Sequence, residues 1–274
     1  MERPAPGPTE VLVRATAAGV NPVDWKVRRG GGFIGEPPFT VGWDAAGVVE
    51  ELGIGVTWLA AGDRVFGMPR FPKEAACYAE YVVAPSRHFA RVPDAWSDVE
   101  AGGTPLAGLT AWQALVDTAG VGEGSRVLVL GAAGGVGHLA VQIAKARGAW
   151  VAGTSSVGKH DFLRGLGVDE PLDKDGPLDV AVDMVFDCVG GDAALAAPAG
   201  PLVITVSSSS VPTLRDQGRD AVGILVEPDR SGLEGLVAAG VRAHVDATFP
   251  LERAADAHML GEQGRTRGKI VLTV

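Results

Sequence analysis

Val127-Leu128-Val129-Leu130-Gly131-Ala132-Ala133-Gly134-Gly135-Val136-Gly137-His138-Leu139-Ala140-Val141-Gln142-Ile143-Ala144 decides how this chain is read. An apolar β-type run enters a glycine-rich turn, and an apolar-periodic helix leaves it. A dinucleotide-binding βαβ unit requires that order. Glycines let the backbone approach a pyrophosphate, whose charge then rests on N–H groups at the helix N-terminus. The six-residue fingerprint reads Ala132-x-Gly134-x-x-Gly137, with Ala in the first glycine slot. No Lys-Ser/Thr pair follows the last glycine, so a nucleoside-triphosphate P-loop is excluded.

The surrounding composition agrees. The 274 residues are 46% hydrophobic and 21% charged, as in a globular protein with ample core. A formal net charge of −9 argues against a nucleic-acid footprint. No apolar run reaches membrane-spanning length. The start, Met1-Glu2-Arg3-Pro4-Ala5-Pro6-Gly7-Pro8, does not read as a signal peptide, and a cytoplasmic location is expected. Cys77 and Cys188 lie far apart and suggest neither a disulfide framework nor a cysteine-rich zinc site.

Three zones follow. Residues 1–106 read as β-rich, with strands Glu10 to Ala17, Asp44 to Leu52, Arg64 to Gly67 and Tyr78 to Ala84, spaced as in a partly open barrel. Residues 107–240 alternate strands (Arg126 to Leu130, Trp150 to Thr154, Met184 to Cys188, Leu202 to Val206) with helical segments, the mark of a doubly wound parallel α/β sheet. Residues 241–274 hold a helix, Leu251 to Leu260, and the strand Lys269 to Val274.

Several further stretches occur in fixed order: Gly19-Val20-Asn21-Pro22-Val23-Asp24, Gly42-Trp43-Asp44-Ala45-Ala46-Gly47, Gly62-Asp63-Arg64-Val65, Leu109-Thr110-Ala111-Trp112 and Gly268-Lys269-Ile270-Val271-Leu272. With the glycine turn they resemble the medium-chain dehydrogenase/reductase superfamily, in its zinc-free, zeta-crystallin-like quinone oxidoreductase branch. The resemblance implies a GroES-like catalytic domain (1–106 and 241–274) around a Rossmann NADPH-binding domain (107–240). It implies NADPH-dependent reduction of quinones or activated alkenes, and a homodimer paired through the Leu202 to Val206 region. Two departures stand out. Relatives carry a further strand pair ahead of the Glu10 strand, and Gly190 to Gly200 is shorter than the helix and turn usual there.

Zinc-dependent cousins place Cys near Asn21 and Gly-His-Glu near Gly42. Here one carboxylate, Asp44, remains of the three protein ligands a catalytic zinc needs, and His88, His138, His160, His244 and His258 show no ligand spacing. No metal is expected. The chemistry then narrows, because a quinone or enone spreads developing charge through its own conjugation and needs only a hydrogen-bond donor and a proton source.

An NAD-preferring unit carries an acid about 20 residues past the glycines. Here the second strand ends in Thr154-Ser155-Ser156-Val157-Gly158-Lys159, whose hydroxyls and lysine suit a 2′-phosphate. NADPH is the expected cofactor. Its candidate contacts are Thr110, Ala133, Gly134, Gly135, Val136, Gly137, Thr154, Ser155, Ser156, Lys159, Val189 and Val206, with Lys269 beside Arg265 and Arg267 as a basic end for phosphates. The catalytic candidates are Asn21, Asp24 and Lys26, where the resemblance puts nicotinamide and substrate. Asn21 could donate to a carbonyl, or cap a helix beginning at Pro22. Lys26 could supply a proton, and Asp24 could order Lys26. Trp43 is expected to wall the substrate pocket. Two other readings remain open. One is reduction of a carrier-bound enoyl thioester, for which Arg28, Arg29, Arg64, Arg70 and Lys73 could form a docking patch. The other is a non-enzymatic, cofactor-binding redox sensor.

Overall fold

The structure, a computed structural model, describes residues 3–274. Five strands come first: β1 (Glu10–Val20), β2 (Ala45–Leu52), β3 (Arg64–Gly67), β4 (Tyr81–Pro85) and β5 (Phe89–Arg91). Then follow β6 (Arg126–Leu130), β7 (Trp150–Ser155), β8 (Glu170–Asp173), β9 (Met184–Asp187), β10 (Leu202–Thr205) and β11 (Ala221–Gly223). The last two are β12 (Val245–Pro250) and β13 (Lys269–Thr273). The helices are α1 (Pro22–Gly30), α2 (Asp98–Gly103), α3 (Pro105–Trp112), α4 (Gly137–Ala146), α5 (His160–Gly165), α6 (Asp192–Leu195), α7 (Val211–Asp216), α8 (Arg230–Ala238) and α9 (Ala254–Glu262).

The chain divides into two compact units. One holds the residues up to Leu109 with Glu227–Val274, and the other holds Thr110–Val226. The sequence reading put the return at residue 241. The structure puts α8 in the first unit, because Leu236 packs where a side chain on Gly108 would stand and α8 lies against β5.

In the first unit the strand order is β12-β13-β1-β2-β3-β5, with β4 also on β1. β1 is long enough to serve two neighbours along one edge. Glu10 to Arg14 pair with β4, and Ala17 to Val20 pair with β13. Only β12–β13 is parallel. Ala18, Val20, Ala257, Ile270 and Leu272 form a core cluster beneath α9, with Trp25 of α1 packed on it.

The second unit is a six-stranded, wholly parallel sheet in the order β11-β10-β9-β6-β7-β8. Beginning at β6, that is the doubly wound order with its reversal between β6 and β9. Burial on both faces explains the unbroken apolar run Val127 to Leu130. β10 is an interior strand covered by β11, so the Leu202 to Val206 stretch offers no free edge. In the shortened segment, α6 stops at Leu195. The Arg219 guanidinium donates to the carbonyls of Ala194, Leu195 and Pro198, supplying partners that a longer helix would give itself.

Candidate functional site

The glycine turn is built as the sequence suggests, with the left-handed residue one place earlier. Gly131, at φ +74°, makes the turn, and Ala132 behind it is buried. A Cβ on Gly137 would stand 2.2 Å from the Gly131 carbonyl oxygen, so only glycine lets α4 begin there. Gly134, Gly135 and Val136 are half-buried and lead into the first turn of α4, while Ala133 is buried. Thr154 holds this turn. Its hydroxyl accepts from Gly131 N–H at 3.0 Å and its carbonyl from Ala132 N–H at 2.9 Å. The Thr154 hydroxyl, expected at a 2′-phosphate, accepts here and keeps its own O–H as a donor. Ser155 is buried and donates to the Ser156 carbonyl, whereas Ser156 is exposed and Lys159 half-buried where α5 begins. Thr110 is buried within α3.

A pocket of about 200 Å³ opens at the carboxyl ends of these strands, lined by Gly131, Thr154, Ser155, Lys174, Val189 and Ala193 among others. Lys174, just past β8, was missed by the sequence reading because the short β8 carries no alternating pattern. Its ammonium now pairs with Asp175 at 2.7 Å. Asp187 was missed too. Fully buried, it accepts from the N–H groups of Val189 and Gly190 and from the Thr205 hydroxyl at 2.6 Å. That staple fixes the loops that present Val189 and Val206, the latter held by its N–H to the Asp187 carbonyl.

The first unit contains a second constellation, entirely buried. Asn21 begins α1, and its N–H donates to Asp24 Oδ2 at 2.6 Å, half of the reciprocal capping arrangement. Its side chain is committed elsewhere. Nδ2 donates to Asp44 Oδ2 at 2.8 Å, and Oδ1 accepts from Lys269 Nζ. The amide orientation is forced, since an ammonium only donates and a carboxylate only accepts. Lys269 Nζ also lies 3.4 Å from Asp44 Oδ2, and Leu106 N–H donates to Asp44 Oδ1 at 2.6 Å. A Cβ on Gly19 would stand 2.5 Å from Asp44 Oδ2, which explains the glycine of Gly19-Val20-Asn21. Burial raises the pKa of Asp44, opposed by Lys269 and its hydrogen bonds. Burial, with Asp44 nearby, raises Asp24 to about 7.

Three sequence assignments change here. Lys269 is not a surface phosphate ligand, because its ammonium is sealed against Asn21 and Asp44. Lys26 is exposed on α1 and does not join the cluster, so the lysine beside Asn21 is Lys269. Trp43 is fully buried rather than lining open space. Its indole donates to the Lys73 carbonyl, and Phe33 and Phe71 cover its ring. Of the five basic docking residues, the four arginines are paired, and Lys73 is exposed. Arg28 and Arg29 pair with Glu262, Arg64 with Asp98, and Arg70 with Glu10.

Residues 7–94 match the alcohol dehydrogenase GroES-like domain family, and residues 166–272 match the zinc-binding dehydrogenase family. The chain is 34% identical over 98% of its length to the pikromycin polyketide synthase component PikAII of Streptomyces venezuelae, of which it spans only 8%. It is 32% identical over 98% of its length to the chloroplast envelope quinone oxidoreductase homolog of Arabidopsis thaliana, spanning 91% of it. The quinone oxidoreductase structure from Coxiella burnetii superposes with a TM-score of 0.90 at 34% identity, covering 100% of this chain and 93% of that one. A mycobacterial protein solved with NADPH superposes at 0.84 with 28% identity, covering 100% and 94%. A GroES-like unit, a doubly wound unit with a built glycine turn, and relatives of matching length agree: the chain is an oxidoreductase of the medium-chain dehydrogenase/reductase superfamily, in its quinone-oxidoreductase-like branch.

Proposed function

We propose that the chain is a zinc-independent, NADPH-dependent reductase of quinones or conjugated enones. The observation that carries the cofactor choice is the end of β7. It offers Ser155, the exposed Ser156 and Lys159, and no acidic residue from Thr154 to Lys159 to hold a 2′-hydroxyl, while Lys174 in the adjoining pocket is paired with Asp175. The turn from Gly131 to Gly137 is the cradle for the pyrophosphate, and Val189 lines the pocket where the adenosine half fits. When bound, the dihydronicotinamide supplies the hydride.

A zinc does not fit the first unit's donor set. Among the described residues no cluster of three His, Cys, Asp or Glu side chains could hold a metal, and a lysine ammonium already stands against Asp44. The proton that reduction consumes needs an acid that titrates near neutrality. Asp24 fits, buried and held at about 7. Asn21 has one amide hydrogen left after bonding Asp44, enough for a single contact to an acceptor oxygen.

The likeness to a polyketide synthase component favours a carrier-bound enoyl thioester as the second reading. The pairing of Arg28, Arg29, Arg64 and Arg70 with acidic side chains weighs against a carrier-docking patch. No helix among the described residues is long and apolar enough to cross a membrane. The test is steady-state oxidation of NADPH and NADH against a panel of quinones, enones and enoyl thioesters, with and without a strong chelator. The expected result is higher kcat/KM with NADPH on quinones or enones, unchanged by chelation. Loss of activity on chelation, restored by zinc, would overturn the metal-free reading. No turnover on any acceptor, with NADPH still bound, would favour a redox sensor.

A further inference from the structure

Two side chains outside the candidate set are chained to Asp24: the half-buried Tyr78 touches it, and the buried His258 touches Tyr78. Tyr78 Oη lies 3.1 Å from Asp24 Oδ2 and 3.1 Å from His258 Nε2, and His258 Nδ1 lies 3.0 Å from Arg28 Nη1. Arg28 fixes the direction of the chain. A guanidinium only donates, so His258 Nδ1 accepts and the imidazole proton sits on Nε2. Nε2–H donates to the Tyr78 oxygen, and Tyr78 passes its one proton onward to Asp24 Oδ2. Asn21 N–H donates to that same oxygen at 2.6 Å. Asp24 Oδ1, equally buried, has no hydrogen-bond partner among the described residues. The two oxygens of one carboxyl are therefore unlike.

We propose that Tyr78 and His258 are positioning residues for Asp24: anchored on Arg28, they hold Oδ2 as a pure acceptor and leave Oδ1 as the atom where the carboxyl takes up and releases a proton. The link to turnover rests on the reading of Asp24 as the acid. The effect on the carboxyl itself does not. The groups facing this chain are Asn21 and Arg28 on or at the start of α1, His258 and Glu262 on α9, Cys77 beside Tyr78, and Asp44 and Lys269 beyond Asn21. Burial and Arg28 hold His258 down at about 4, so the imidazole is neutral at physiological pH and serves as a relay of hydrogen-bond direction. Burial raises the Tyr78 phenol well above its ordinary value, so Tyr78 keeps its proton.

The experiment is infrared difference spectroscopy of the full chain through a pH titration, reading the C=O stretch of a protonated buried carboxyl. Loss of the band in Asp24→Asn assigns it. Tyr78→Phe removes a donor to the ionised form, so the midpoint is expected to rise by about one pH unit, a tenfold change in proton affinity. His258→Leu should raise it as well. His258→Gln should restore the wild-type midpoint, because the amide can accept from Arg28 and donate to Tyr78. If Tyr78→Phe fails to fold, fluorotyrosine incorporated in a Tyr81→Phe background labels Tyr78 alone, as the chain has 2 tyrosines. That stronger donor should move the midpoint down. An unmoved midpoint in folded Tyr78→Phe or fluorotyrosine protein overturns the proposal, as does absence of the band from the wild type. A rate profile measured in parallel separates the two ideas. If the infrared midpoint moves and the pH limb of kcat does not, the positioning role stands and the acid role of Asp24 falls.

Discussion

At the scale of single residues, the buried cluster of the first unit ties stability to pH in two opposing ways. Asp24 titrates at about 7 when folded against 3.8 for the free group. The folded state then binds the extra proton between those values. Stability from this group is fully present below pH 3.8 and is lost as pH rises through 7. His258 has the reverse sign. It is held at about 4 against 6.5, so its contribution is present above pH 6.5 and is lost as pH falls through 4. The slopes oppose each other where the windows overlap, so His258 offsets part of the fall with pH that Asp24, and the likewise raised Asp44, impose. Relative to the wild type, Asp24→Asn should tilt the profile upward with pH, and His258→Gln should tilt it downward. Urea unfolding at a series of pH values checks both, and parallel curves for all three proteins would refute the assignment. None of this was visible as a pattern in the chain. Asn21 and Asp24 stood out through the family resemblance, at the cap and in the first turn of α1. Tyr78, His258 and Lys269 join them from positions far along the sequence, where periodicity carries no information about which buried polar groups meet.

At the scale of elements, the strand–turn–helix from Val127 to Ala144 was legible because its physics is local. A both-faces-buried strand is an apolar run, and a turn with φ above zero needs glycine. β5 and β11 were not legible, since three residues cannot display a period of two, and β8 (Glu170–Asp173) carries one apolar residue besides its proline, too little to mark a strand. Two predictions belong to this scale. Lys159 begins α5 beside the exposed Ser156, and Lys159→Ala should weaken NADPH by about 1–3 kcal/mol while leaving NADH nearly unchanged. Fluorescence titration with both nucleotides measures this, and equal losses would remove the 2′-phosphate role. Arg219 closes the short α6 by bonding three carbonyls around its C-terminus. Arg219→Ala strands those acceptors, and should lower the unfolding free energy by roughly 1–3 kcal/mol. Far-UV circular dichroism during denaturation would register it as an earlier midpoint, with cofactor affinity less affected than stability.

At the scale of the whole molecule, the question is what meets the edge of the parallel sheet. The sequence pointed to Leu202 to Val206 as the pairing strand because it is the most apolar late run. The structure gives that run an interior place, with β9 on one side and β11 on the other. The edge is β11, Ala221–Gly223, bonded to β10 in parallel through Val203, Ile204 and Thr205. Its other side presents backbone groups without a strand partner among the described residues, and Leu225 just beyond it is 64% exposed. A short edge limits aggregation, and a second copy of the same edge satisfies it in a closed, two-fold way. The expected state is therefore a homodimer at micromolar concentration, held partly by Leu225. Light scattering should give twice the chain mass. Leu225→Lys should move the equilibrium toward monomer without changing the circular dichroism of the fold. A monomer in the wild type, or a dimer indifferent to Leu225→Lys, would show that this edge is closed by something other than a second copy.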